Sequence, residues 1–313
     1  PYRIFMKILL FFLSFVLMLF FSEDSVQLAA DGLSVWFQTM IPALFPFMLL
    51  SCLLVRQQMT EKLSFFLSPL LCPLLRISPQ GVYCVLTGFL CGFPMGARNI
   101  AELYRRKEFS RKEAQYLLGF CNNMGPLFIL SVLLPSLAIK NISAAFFLLG
   151  IYGIPFLYAL LVRLISPLPL NLCQKSPSET APEPFLKSLD SAIHSGIEGI
   201  TVLGAYLIVG NLLYLFPLIV SRSLTRYTGI ALPDTLLCAS RCLLEITGGI
   251  HALSGRLPLF LLTVLPFGGL CCLLQTKGML AGTDLSMRRY VYDKLLQCLL
   301  SFFYFFLLFR FFL

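Results

Sequence analysis

Apolar runs of roughly bilayer length recur from one end of this chain to the other, and no other feature restricts its fold as strongly. They fall at 4–22, 40–55, 116–138, 144–165, 197–220, 257–274 and 295–313. A helix that crosses the hydrocarbon core needs about 20 mostly apolar residues, because only a backbone that satisfies its own hydrogen bonds is stable there. Seven spans are expected on this count, to within one. With 58% hydrophobic and only 12% charged residues, against about 25% charged in a soluble domain, the chain lacks the polar surface of a water-soluble globule. It reads as an all-α polytopic membrane protein whose first partner is the lipid bilayer. Arg3 and Lys7 before the first run give it the outline of a signal peptide, but the run is long and Leu28-Ala29-Ala30 is a weak cleavage site, so 1–22 is read as an N-terminal transmembrane helix.

The formal net charge of +9 is dispersed along the loops and points to orientation, not to a nucleic-acid partner. Arg3, Lys7, Arg56, Lys62, Arg105, Arg106, Lys107, Arg111, Lys112, Lys175, Lys187, Lys277, Arg288 and Arg289 fall on one face if the chain starts in the cytoplasm. The other face receives Lys140, Arg222, Arg226, Arg241, Arg256 and Arg310. The excess of Lys and Arg on cytoplasmic loops then sets an N-in, C-out arrangement. The expected location is a bacterial cell membrane.

The stretch 166–184 (SPLPLNLCQKSPSETAPEP) is long, polar and proline-rich, and reads as a linker between halves 23–165 and 185–313. The order of segments is the same on both sides of it: a span, a glycine-broken run, then a span opened by polar and glycine residues. Counting crossings places the halves in opposite orientations, which is the inverted-repeat, interrupted-helix pattern of secondary transporters. The run 82–97 is too short to cross and return as two full helices. It is expected to be a re-entrant hairpin with Gly92, Phe93 and Pro94 at its tip, and 237–253 its counterpart from the other side. Each is followed by a broken helix, at 113–138 and 257–276. Glycines that only let helices pack closely are the competing reading, which the matched positions of the two runs disfavour.

Asn122 and Asn123 precede Gly125 and Pro126 in mid-span. Proline removes a backbone donor and disfavours helix at the residue before it, so carbonyls near 121–123 are freed to bind a cation or polar ligand, unless the amides simply bond across helices. Glu245 lies beside Thr247 and Gly248 in the second broken run. An ionisable group at that depth is a functional candidate, either accepting H⁺ or Na⁺ or holding the hairpin tip by hydrogen bonds. Gln275 and Thr276 close the span that opens with Gly268 and Gly269. No HExxH, GxSxG, Walker loop or carboxylate cluster occurs, so neither a metal site nor an enzyme is expected.

The segments DGLSVWFQTMIPALFPFMLLSCLL, LTGFLCGFPMGA, EAQYLLGFCNNMGPLFI, LLEITGG and FGGLCCLLQT resemble the sporulation integral membrane proteins of the YlbJ or SpoVV type. That group is a branch of the nucleoside-recognition or Gate-domain proteins related to concentrative nucleoside transporters. The resemblance implies a fold of two re-entrant hairpins facing two broken helices. It also implies export of dipicolinic acid from the mother cell towards the forespore, across the outer forespore membrane. Carried over by position, it assigns substrate binding to Cys91, Gly92, Phe93, Pro94, Asn122, Asn123, Gly125, Glu245, Thr247, Gly248 and Gln275, and ion coupling to Glu245 and Asn122. No cofactor is implied beyond a coupling Na⁺ or H⁺, and a homo-oligomer is compatible with it. Cys91 and Met124 stand where that group often has serine. Arg98, just after the first hairpin, reads as a partner for an anion or as a positive-inside anchor. Two other functions fit the same residues: a Na⁺- or H⁺-coupled carrier of nucleosides or other metabolites, and a membrane scaffold for spore envelope assembly.

Overall fold

The computed structural model describes residues 2–57, 59–108, 110–139, 141–165 and 184–312. The linker through residue 183, Lys140 and the side chains of Arg3 and Lys7 lie outside what it describes. Its described residues form helices and turns with no strand. After α1 (Tyr2–Phe20), α2 (Ser22–Val35) runs into α3 (Ile41–Arg56) through a π-turn at Trp36–Met40. Ile41 N–H there reaches back five residues to the Trp36 carbonyl, immediately before Pro42, which has no N–H to offer.

The chain continues through the short α4 (Thr60–Ser64) and α5 (Ser68–Leu75) to α6 (Pro79–Cys91) and α7 (Met95–Arg105), which pack side by side. Ser78 caps α6 by accepting from Gly81 N at 3.1 Å, and Ser110 caps α8 (Arg111–Cys121) by accepting from Glu113 N at 3.3 Å. The helix stops at Asn122 and resumes as α9 (Pro126–Phe128), a π-turn at Ile129–Leu133 and α10 (Leu134–Leu137). This second π-turn repeats the first: Leu134 N–H bonds the Ile129 carbonyl just before Pro135.

Helix α11 (Ala144–Ile165) is followed, beyond the linker, by α12 (Phe185–Leu212) and α13 (Leu215–Thr228). Then come α14 (Asp234–Leu244), α15 (Ile246–Leu253), α16 (Pro258–Val264), α17 (Gly269–Met279) and α18 (Met287–Phe312). α12 lies along α2 and α3. Its glycines make the close approach: an added methyl at Gly204 would meet the Trp36 ring, and one at Gly196 the Phe45 ring. Trp36 Nε1 also donates to the Ile200 carbonyl at 2.8 Å.

Polar contacts sort the loops into two ends. At one end, Arg105 donates to the Met279 and Ala281 carbonyls, Arg111 pairs with Asp284 at 2.8 Å, Ser78 N donates to Glu113 at 2.6 Å and Gln57 to Ser188 at 2.7 Å. At the other, Arg222 pairs with Asp24, Arg241 with Asp31 at 3.0 Å and Arg256 with Asp234 at 2.6 Å. The start of α6 and the end of α7 both lie at the first end. The start of α14 and the end of α15 both lie at the second. Three of the arginines expected on the outer face are thus matched by aspartates.

Six helices among the described residues are long and apolar enough to cross a bilayer, or seven if α5 and α6, bent by 99°, count as one span. The expected boundaries hold at Ala144–Ile165. They shift after the first helix, α1 (Tyr2–Phe20): the next span is Ser22–Arg56 and does not wait until residue 40 to begin. The helix runs on through the polar residues 23–38, where Asp24 and Asp31 pair with arginines.

Candidate binding cavity at the helix breaks

The first break is built on glycine. Gly92, which ends α6, has φ 84° and ψ −174°, backbone that a side chain essentially forbids. A methyl there would also come within 2.5 Å of Gly125 N. Added methyls at Gly88 and Gly96, one on each arm of the α6–α7 pair, would run into the Cys121 carbonyl. The pair therefore straddles the end of α8 with backbone against backbone, and its tip lies on the α8–α9 break.

A cavity opens where this tip meets the break in the second half. Cys91, Gly92 and Phe93 line it from the first tip, Met124 and Gly125 from the first broken helix, Glu245 and Thr247 from the α14–α15 turn, and Cys272 and Gln275 from α17. Ala43, Leu44 and Phe47 of α3 and Leu203 and Leu207 of α12 close the side. The lining is apolar apart from Glu245, Thr247 and Gln275, and includes no basic side chain. Of the residues expected at the site, Pro94, Asn122, Asn123 and Gly248 do not line it.

Glu245 is 2% exposed. Its Oε1 accepts from Thr247 N at 2.8 Å and its Oε2 from Gly248 N at 2.6 Å. It is the N-cap of α15, and in this arrangement it holds the turn by hydrogen bonds. Gln275 Nε2 donates to Cys271 Sγ at 3.1 Å. Arg98 points away from the cavity lining and donates to the Ser195 carbonyl at 2.9 Å, tying α7 to α12.

Asn122 is turned to the other side of the break. Its Nδ2 donates to Thr276 Oγ1 and to Tyr290 OH, each at 2.9 Å, joining α8 to α17 and α18. Asn123 Nδ2 closes back on the Phe120 carbonyl at 2.6 Å. The oxygens freed at the break are met by Lys294, whose Nζ lies 2.6 Å from the Asn122 carbonyl, 3.1 Å from Asn123 Oδ1 and 3.3 Å from Gln297 Oε1. Gln297 in turn donates to the Gly119 carbonyl at 2.7 Å. Beside it, Asp293 accepts from Tyr158 OH at 2.7 Å. Sequence reading missed Lys294, Gln297 and Tyr290. The available signal was YDKLLQ, an Asp-Lys pair with Gln297 one turn on, at the mouth of a long apolar helix.

Helices of spanning length, with polar side chains turned inward around breaks in the backbone, define a polytopic, all-helical membrane protein. Over 107 residues the chain is 34% identical to the sporulation integral membrane protein YlbJ of Bacillus subtilis (strain 168), a stretch that covers 34% of this chain and 26% of that protein. The matched stretch thus spans about a quarter of the relative's length. No family model matches the sequence, and no solved structure matches it.

Proposed function

We propose that the chain is a carrier that moves a small organic solute across the membrane through the cavity at its helix breaks. The observation that carries this reading is the meeting of both interrupted hairpins and both broken helices around one cavity. The hairpin ends at opposite poles of the molecule support an inverted repeat with two re-entrant segments, the architecture that holds substrate near the midplane in many carriers. The similarity to a protein named for sporulation supports a role in that process, with dipicolinate, exported from the mother cell towards the forespore, as the first substrate to test. A second reading is favoured by the lining itself. An apolar cavity with one carboxylate, one amide and one hydroxyl, and no basic side chain, suits an uncharged planar heterocycle of nucleoside type better than a dianion, which gains from cationic partners. Any coupling ion acts at Glu245 in this scheme, since the Asn122 carbonyl is already engaged.

Uptake of labelled dipicolinate into vesicles reconstituted with the purified protein, with nucleosides as competitors, separates the two substrates. Ala43→Phe, which places a ring in the cavity from α3, is expected to abolish whichever transport is found while leaving the unfolding midpoint nearly unchanged. Full transport by that variant, or none by the wild type for either solute class, returns the protein to the scaffold reading.

Topology has its own test. Cysteines introduced as Lys112→Cys and Tyr227→Cys are expected to react with an impermeant thiol reagent from opposite sides of the membrane, with Tyr227→Cys labelled in intact cells. Labelling of both from one side removes the inverted repeat.

A further inference from the structure

Lys294 is fully buried, and among the described residues no carboxylate forms an ion pair with its ammonium. The adjacent Asp293 is held by Tyr158 and faces Gly119, where an added methyl would lie 2.7 Å from Asp293 Oδ2. The ammonium instead meets three neutral oxygens, from Asn122, Asn123 and Gln297. Two ring faces complete the shell, Phe93 at 5.6 Å and Tyr290 at 5.7 Å from Nζ to centroid. A backbone carbonyl from an unwound helix together with side-chain amide oxygens is the donor set with which membrane proteins hold a dehydrated monovalent cation. A lone buried ammonium without such partners is costly.

We infer that this cage is a monovalent-cation site that the chain fills with its own ammonium, so that the arrangement of tip and break described here forms without free Na⁺ or K⁺. Phe93 links the cage to the cavity, because its ring covers the ammonium and also lines the cavity. Lys294 is a positioning residue: it fixes the wall formed by Phe93 and does not meet a solute itself. The inference is independent of transport and is read from stability alone.

The test is thermal unfolding of the purified full chain in detergent, in NaCl, KCl and choline chloride at equal ionic strength. Wild-type protein is expected to unfold at one midpoint in all three. Lys294→Ala is expected to lose about 5 to 10 °C in choline and to regain at least half of that, saturably, as Na⁺ or K⁺ enters the vacated cage. Adding Asn123→Leu to Lys294→Ala removes the regain. Lys294→Asn, which keeps a hydrogen-bonding group in the cage, is to show the same cation dependence and serves if the alanine variant does not fold. A saturable alkali-cation response in the wild type, or its absence in whichever variants fold, overturns the inference. So does failure to recover either variant from membranes prepared in high NaCl and KCl, since the salt should supply the missing charge.

Discussion

Replacing Gly92 by alanine is expected to destabilise the protein by about 3 kcal/mol or more. Two costs add. The backbone at φ 84°, ψ −174° excludes a side chain whatever the surroundings. The new methyl would also lie 2.5 Å from Gly125 N and 2.9 Å from Gly125 Cα, and backbone cannot step aside as the end of a flexible side chain can. Gly229 is the control: it too has positive φ, at 71°, but nothing stands within 4 Å of an added methyl. Gly229→Ala is expected to cost about 1 kcal/mol, the left-handed conformation alone. Unfolding midpoints of the two purified variants make the comparison. Equal losses would mean that the tip is not seated on the α8–α9 break.

Glu245→Ala is expected to be nearly as severe. It strips both acceptors from the buried amides of Thr247 and Gly248, and each orphaned buried donor costs about 1 to 3 kcal/mol. Glu245→Gln keeps one oxygen and turns an NH₂ towards the other amide, so about half the loss is expected. Hydrogen exchange supplies a local readout: the amides of Thr247 and Gly248 should exchange faster in Glu245→Ala, while the α16–α18 core keeps its protection. If Glu245→Ala leaves those amides protected and the midpoint unchanged, the carboxylate is free for another task. A gradient-driven accumulation lost in Glu245→Gln would then identify that task as ion coupling, by H⁺ or Na⁺.

Much of this geometry was legible in the sequence because apolar solvent enforces strict local rules. The 144–165 span follows from length and hydropathy alone. Interruptions at GFP and at NNMG mark places where bare backbone must be buried in protein, and the cavity lies between them. Asn122 was misleading in direction only: its depth was evident, but the face of the break to which it turns depends on Thr276 and Tyr290, more than 150 positions away. Lys294 was hidden by the practice of starting a span after its last charge. A buried ammonium is invisible to a hydropathy window, since its stability comes largely from oxygens that fold against it at the end of α8.

The seam between α12 and the α2–α3 rod sets a matter of scale. The continuous helix Ser22–Arg56 has 35 residues, about 50 Å of rise, against a hydrocarbon core of about 30 Å, and the 28 residues of α12 come to about 42 Å. The polar first turns of α2, where Asp24 and Asp31 pair with arginines, carry the surplus of that rod at one end, and the polar start of α12 carries its own at the other. Asp190 and His194, at 76% and 77% side-chain exposure, stand on that start of α12. A protein otherwise submerged in lipid or detergent thereby carries a rigid external landmark, suitable for a binding fragment that would orient single particles without touching the cavity.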